Sequence, residues 1–439
     1  MTRSKEIGKG WQIPFFSVWT GQAFSLLGSA LVQFALVWWL TEATGSATVL
    51  ATATLVAVLP SVFLSPFSGA LVDRWNRRLV MMVADGLIAL ATVGLAGLFL
   101  IGAERVWMIY AVMFVRSAGG GFHWAAMQAS TSLMVPEKQL SRIAGLNQSL
   151  RGGVNIVGPP LGALLLAVLP LQGILAIDVA TAMLAILPLF FISIPQPEEE
   201  PGEDGAVPQV SILQDIGEGF RYVRGWPGLF AILIMASVIN LLLTPASSLM
   251  PLLVTDHFGG EALELGWLES AWGGGVVAGG LILSAWGGFR RRILTSLMGL
   301  TGIGVGFLLV GLVPSSAFLW AVAGMFLAGT MNPMTNGPLF SIIQASVAPK
   351  MQGRVFALVQ SMATAATPVG MIIAGPVADA LGVRLWYVVG GVGCALMGIG
   401  GFFVPVIVHL EEGRGHPARE SSAVAPVSGG CADVPQAAE

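Results

Sequence analysis

Short polar turns cut this chain into long apolar runs, and the turns on one side carry nearly all of its basic charge. A helix that crosses a bilayer needs about 20 mostly apolar residues. Twelve runs meet that length: 14–40, 49–71, 79–101, 106–135, 142–168, 173–194, 228–254, 263–286, 293–313, 317–343, 355–381 and 385–409. The run at 106–135 is the least regular, because Gly119-Gly120-Gly121 interrupts it. When the runs are threaded alternately, 17 of the 21 Lys and Arg fall on one side. They are Arg3, Lys5, Lys9, Arg74, Arg77, Arg78, Lys138, Arg142, Arg221, Arg224, Arg290, Arg291, Arg292, Lys350, Arg354, Arg414 and Arg419. Arg105 and Arg384 fall on the other side, and Arg116 and Arg151 lie inside runs. Short loops rich in Lys and Arg stay cytoplasmic, so both termini are expected inside the cell. Losing one span would scramble the separation.

Composition excludes a water-facing globule. Of the residues, 55% are hydrophobic and 10% charged, with mean hydropathy +0.80, whereas soluble domains have about a quarter charged. The expected fold is an all-α membrane protein of twelve transmembrane helices in two six-helix pseudo-repeats, multi-pass in the inner (cytoplasmic) membrane. The start, Met1–Gln12, is basic, but the run that follows is too long for a signal-peptide core. Cys394 and Cys431 give neither a disulfide framework nor a metal site. The chain has no G-x4-G-K-[ST] phosphate loop and no catalytic constellation. It reads as neither an ATP-driven pump nor an enzyme, with no cofactor. The expected partners are lipid, protons and a small amphipathic substrate, with no nucleic acid, and a monomer is expected to suffice.

Between runs 6 and 7 the sequence breaks into Pro195-Gln196-Pro197-Glu198-Glu199-Glu200-Pro201, too polar and proline-rich to pack. An amphipathic stretch from Ser211 to Arg224 follows, suited to lying along the membrane surface. The expected divisions are a six-helix bundle at 1–194, a cytoplasmic linker at 195–227, a second bundle at 228–410 and a disordered tail at 411–439. The halves echo each other. Gln128-Ala129-Ser130, Pro136, Arg142 and Gln148 in the first correspond to Gln344-Ala345-Ser346, Pro349, Arg354 and Gln360 in the second. Parallel repeats of this kind place a substrate site between halves near the bilayer midplane.

Polar side chains in hydrocarbon are costly, so their pattern is informative. Gln22, Ser25, Ser29 and Gln33 fall on one face of span 1, and Ser237, Asn240, Thr244 and Ser248 on one face of span 7. A single serine of this kind serves helix packing. Two matched stripes containing Gln and Asn point instead to a water-filled cavity. Asp85, Arg116, Arg151, Asp178 and Glu269 are ionisable residues within apolar runs and are the candidates for proton coupling. Arg116 and Arg151 lie too deep to reach the interface, so each should pair with a carboxylate or face water. For Arg116 the expected partner is Asp178 or Glu269. Asp85 is expected to anchor the basic turn at Arg74 or Arg77, with a fixed Arg116–Asp85 pair as the alternative. His123 reads as a packing or cavity residue.

The basic turn has the form G-x-x-x-D-R-x-x-R-R, from Gly69 through Asp73, Arg74, Arg77 and Arg78, and resembles the loop motif between spans 2 and 3 of the major facilitator superfamily. Asp73 is expected to accept from the start of span 3. Arg74, Arg77 and Arg78 are expected to bind carboxylates or helix ends of the neighbouring bundle, forming a latch that exists only when the inner side is closed. Asn76, where the family usually has Gly, is expected to tolerate a left-handed turn. In span 4, Arg116 with Gly119-Gly120 resembles the R-x-x-Q-G motif of proton-coupled drug exporters, with Gly119 replacing Gln. In span 5, Gly145 and Gly158-Pro159-Pro160-Leu161-Gly162 resemble part of the antiporter motif, which belongs to exporters. The family lines its central cavity with spans 1, 4, 7 and 10. That implies Gln22, Ser29, Gln33, His123, Met127, Asn240, Thr244, Asn332 and Asn336 as cavity residues. The run Gly121–Ser130 with Ala144-Gly145-Leu146-Asn147-Gln148 is similar to the macrolide-efflux branch, to which enterobactin exporters are related. The resemblance implies proton-coupled efflux of a macrolide-like molecule. A siderophore or metabolite exporter, or a non-transporting sensor on the same fold, are the alternatives.

Overall fold

The computed structural model describes residues 10–194, 221, 223–347 and 349–411. Linker residues 195–220 and the tail from 412 lie outside the described residues, as does most of the expected amphipathic stretch. Among the described residues, twelve helices run 18 residues or longer. They are α1 Gln12–Thr44, α2 Ala47–Arg74, α3 Arg77–Leu100, α4 Val106–Met134, α5 Glu137–Val168, α6 Leu171–Phe191, α7 Pro227–Ser248, α8 Ala262–Trp286, α9 Arg292–Leu312, α10 Phe318–Ser346, α11 Pro349–Leu381 and α12 Arg384–Gly401. Nine helices among the described residues are long and apolar enough to cross a membrane.

The helices depart from the apolar runs where their ends meet water. α2 continues through Asp73 and Arg74, leaving only Trp75 and Asn76 between it and α3. Asn76 takes no left-handed turn. Its backbone is extended (φ −66°, ψ 109°), and its side chain accepts from the Leu79 amide at 3.3 Å, capping α3. Run 7 ends earlier than expected, because Pro245 and Pro251 remove backbone donors. The chain leaves α7 at Leu249 and makes a wider π-helical turn over Leu253–Phe258, closed by Gly259 at φ +63°. The three glycines expected to interrupt run 4 leave α4 unbroken. Gly119 instead admits the Ile88 side chain, 3.0 Å from where a Cβ would stand.

Packing repeats with a period of six helices. The pairs α1·α5, α1·α6, α2·α4, α3·α4 and α3·α6 recur as α7·α11, α7·α12, α8·α10, α9·α10 and α9·α12. Small residues make these contacts close. A Cβ on Gly275 or Gly279 of α8 would collide with the backbone of α10 at Phe326 or Thr330. Between the sets of six, the principal pairs are α2·α11 and α5·α8, which exchange under a two-fold relation.

The apolar core is asymmetric along the helix axes. On the face where α1 ends and α12 begins, one continuous cluster joins both sets of helices, from Leu36 and Leu50 through Leu175 to Leu253, Leu268, Phe307 and Tyr387. On the face where α1 begins, the core divides. Phe15, Met81, Met134 and Ile143 form one cluster, and Trp226, Leu297, Ile343 and Val355 form another. The first face is sealed and the second is split.

Overpacking a tight helix contact costs about 1–3 kcal/mol. Gly279→Val should therefore lower the thermal unfolding temperature of the purified protein, whereas Gly280→Val, which meets open space, should leave it nearly unchanged.

Candidate functional site

Each set of six helices encloses a cavity of about 360 Å³ on its inner wall. The first gathers the α1 stripe, Gln22, Ser25, Ser29 and Gln33, together with Asp85, Arg116, His123, Met127 and Arg151. The second gathers Asn240, Thr244, Asn332 and Asn336 on α7 and α10. The nine residues expected to line one central cavity are instead divided between these two, five in the first and four in the second.

The first cavity is charged and internally paired. Arg116 is 9% exposed, and its Nη1 donates to Asp178 Oδ2 at 2.5 Å. Thr92 Oγ1 accepts from the same nitrogen at 2.8 Å, and Ser29 Oγ stands 3.4 Å from Asp178 Oδ1. Of the two expected carboxylates, Arg116 thus takes Asp178. It lines the cavity, while Asp178, 1% exposed, lies behind it. Gly28 lets α1 approach α6 here, because a Cβ on it would collide with Thr181 Oγ1 and stand 3.2 Å from Asp178 Oδ1. A buried ion pair with further hydrogen bonds is how such a guanidinium survives in apolar surroundings.

Asp85 does not pair with Arg116. It receives a hydrogen bond from Gln22 Nε2 at 3.2 Å and faces His123 Nε2 at 3.7 Å. Its expected role as anchor of the basic turn is corrected on the same ground, since Gln22 and His123 belong to the cavity. Among the described residues, Arg151 has no carboxylate partner. Its guanidinium lies 3.2 Å from the centroid of the Trp124 ring, and both line the cavity. Glu269 on α8 lies in neither cavity.

In the basic turn, Arg77 Nη1 donates to the Ala129 carbonyl at 3.2 Å and Arg78 Nη2 to the Phe190 carbonyl at 2.9 Å. Both acceptors lie near the C-terminal ends of α4 and α6, where a cation is favoured. Both contacts lie within the first six helices, on the face where the apolar core is divided. The second set repeats the device, with Arg292 Nη1 donating to Ser341 Oγ on α10 at 2.7 Å. The side chains of Asp73 and Arg74 and the surroundings of Gly69 lie outside the described residues. In α5, Gly158 and Gly162 press on Ala30 and Phe34 of α1, at 3.2 and 3.0 Å from their would-be Cβ atoms. Pro159, Pro160 and Ala163 meet Gly266 of α8 across the halves. Gly145 has nothing within 4 Å and contributes no close approach.

Sequence reasoning missed Asp379. At the sealed face it caps the start of α2 from the end of α11, accepting from the Ala47 amide (2.7 Å), the Thr48 amide (3.1 Å), Thr48 Oγ1 (2.5 Å) and Ser46 Oγ (3.3 Å). Ser46-Ala47-Thr48 reads as a helix start, but nothing in one sequence says which carboxylate meets it.

A match to the Major Facilitator Superfamily model covers residues 18–366 and 244–429. The chain belongs to the major facilitator superfamily. It is 35% identical to macrolide efflux protein A of Streptococcus pyogenes over 381 residues, 87% of this chain and 93% of that protein. It is 29% identical to the multidrug efflux pump Tap of Mycolicibacterium fortuitum over 395 residues, 88% of this chain and 94% of that protein. Among solved structures, a bacterial homologue of the iron transporter ferroportin in an inward-facing state shares the fold. Its TM-score is 0.65 at 14% identity, covering 91% of this chain and 98% of that one. This superfamily member is thus a multi-pass membrane transporter by fold and family.

Removing one partner from a buried ion pair costs about 3–5 kcal/mol, whereas replacing both by apolar residues is often neutral. Arg116→Met should destabilise the protein, and Arg116→Met/Asp178→Leu should recover most of the loss. A thiol-reactive dye reporting exposure of the buried Cys394 during heating, in a Cys431→Ser background, reads both. For the second contact, Asp379→Ala should speed deuterium uptake at the Ala47 and Thr48 amides, measured by mass spectrometry of peptides spanning them.

Proposed function

We propose that this chain exports an amphipathic, macrolide-like small molecule across the bacterial inner membrane, driven by protons entering in exchange. In this reading twelve helices span the membrane and both termini are cytoplasmic. The two sets of six helices, joined by the 195–227 linker, move as bodies in alternating access, and one copy of the chain suffices. The split face then opens to the cytoplasm, and the sealed face lies toward the outside. The similarity to macrolide efflux protein A and the multidrug efflux pump Tap supports export and this substrate class.

The observation that carries the proposal is the placement of Arg116 between the first cavity and the Asp178 carboxylate. A carboxylate takes up or gives away a proton as its surroundings alternate between apolar and cationic. Here the cation sits on the cavity wall, where substrate or water can draw it away from Asp178, so that opening and closing the pair ties the carboxylate to the state of the cavity. Asp85 with His123, Arg151 and Glu269 are the further coupling candidates in the same scheme. Asp73 and Arg74 act as the latch of the cytoplasmic face, with Arg77 and Arg78 fixing the start of α3 beside them.

Inside-out vesicles with an acidified interior test the proposal. They should accumulate a labelled macrolide, and a protonophore should abolish the accumulation. Arg116→Lys, which keeps charge but loses the planar fork, should retain part of the rate, and Arg116→Ala should lose gradient-driven uptake while still inserting. Uptake indifferent to the protonophore, or full uptake by Arg116→Ala, overturns the coupling.

A further inference from the structure

The starts of α3 and α9 occupy equivalent places in the two sets of helices, yet they are capped differently. At α3 the cap is local, with Asn76 accepting from the Leu79 amide. At α9 the corresponding residue is Arg291, whose side chain makes no cap. The Ile293 amide donates instead to Glu411 Oε1 at 2.7 Å, across 118 residues of sequence. The first amides of a helix have no partner within it and favour an anionic acceptor. A residue beyond the last long helix therefore completes a helix start that its own turn leaves open.

Glu411 is brought there by a packed segment. After α12 the chain makes one helical turn at Pro405–Val408, and Ile407 and Leu410 are 6% and 1% exposed. Both join Trp226, Leu229 and Leu297 in the apolar cluster on the split face. α7 makes room for the segment with Gly228, where a Cβ would stand 2.6 Å from the Val406 carbonyl oxygen and 2.8 Å from Leu410 Cδ1. Burial of Ile407 and Leu410 fixes the segment, and the hydrogen bond places its end.

What the cap holds is part of a cavity wall. Ile293 and Leu297 of α9 line the second cavity together with Ile232 of α7 and Leu339 of α10. Ile293 also belongs to the split-face cluster, so it stands at that end of the cavity. We propose that the segment 402–411 is a strap that sets the rim of the second cavity, with Glu411 as a positioning residue acting through Ile293. Losing the carboxylate frees the first turn of α9 and lets the rim widen, without removing any group that lines the cavity. That the rim admits an exported molecule rests on the export reading, whereas the cap and its effect on the rim do not.

The experiment compares the full-length wild type, Glu411→Ala and Glu411→Gln in lipid nanodiscs. Deuterium uptake of peptides spanning Ile293 should quicken about fivefold in Glu411→Ala, the usual worth of a helix cap. Glu411→Gln keeps an acceptor oxygen and should stay within about twofold of the wild type. Exchange at the Leu79 amide of α3, capped by Asn76, should keep its wild-type rate in all three. For the rim, Leu339→Cys is added to each protein in a Cys431→Ser background, where the remaining Cys394 is buried. Its labelling by a water-soluble maleimide should quicken severalfold with Glu411→Ala and return with Glu411→Gln. In inside-out vesicles, uptake of a labelled macrolide should show a raised KM and a little-changed kcat in Glu411→Ala, again restored by Glu411→Gln.

Unchanged exchange at Ile293 in Glu411→Ala overturns the cap. Faster exchange spread equally over α3 and α9 makes the loss a general destabilisation and overturns it too. A Glu411→Gln variant that behaves like Glu411→Ala makes charge rather than an acceptor the cause, which also removes the cap. Faster exchange with unchanged labelling of Leu339→Cys leaves the segment holding a helix end only, and overturns its role at the rim. A wild type that does not take up the macrolide counts against the export reading alone, and exchange and labelling then decide the strap.

Discussion

A guanidinium inside an apolar bundle determines much of what surrounds it. Arg116 cannot reach an interface, so its charge is answered locally by Asp178, with Thr92 and Ser29 filling the remaining polar positions. That answer draws in four helices at one depth, α1, α3, α4 and α6. It also requires α1 to present a glycine, Gly28, where a side chain would meet the carboxylate. The rest of the first cavity follows from the same rule. Asp85 is answered by Gln22 and His123, and Arg151 by the π face of Trp124. Hydrocarbon leaves no water to absorb an unpaired group, so pairing fixes helix register as firmly as packing does.

The second six helices repeat the contacts of the first without repeating the charges. The same helix pairs touch, and an arginine at the start of α9 reaches α10 as Arg77 at the start of α3 reaches α4. The cavity wall has nonetheless become neutral, with amides and hydroxyls in place of ion pairs. One architecture therefore carries two chemistries. The scaffold depends on small residues at helix crossings, whereas the cavity depends on a few side chains that the crossings leave free.

Much of this organisation is legible in the sequence because it obeys a period. The stripe at Gln22–Gln33 follows the 3.6-residue turn and all four of its residues line a cavity, whereas of the stripe at Ser237–Ser248 only Asn240 and Thr244 do, Ser237 donating to the Leu233 carbonyl of its own helix. The echo of Gln128-Ala129-Ser130 in Gln344-Ala345-Ser346 corresponds to the ends of α4 and α10, which occupy equivalent places in the packing. What period cannot supply is the choice of partner. Arg116 had two reasonable carboxylates, and only the approach of α6 to α1 and α3 selects Asp178. Asp85 looked like an anchor for the basic turn because it lies near in sequence, yet the helix turns it toward Gln22. Helix ends were misjudged for a related reason. Apolarity marks the part of a helix that sits in lipid, whereas α2 keeps its hydrogen bonds through Arg74 because a helix can continue into polar surroundings.

The cap that Asp379 places on α2 is made at an exposed edge, between helices of opposite halves. A helix start has amides without partners inside the helix, and here the other half supplies the acceptor. Since water can supply one equally well at that edge, parting the two helices exchanges one set of acceptors for another. The junction can then be broken and remade many times with little net change in free energy. It behaves as a clasp that sets which helix ends meet, rather than as a weld that holds them. A buried junction with the same atoms would strand its amides on opening and make every cycle slow.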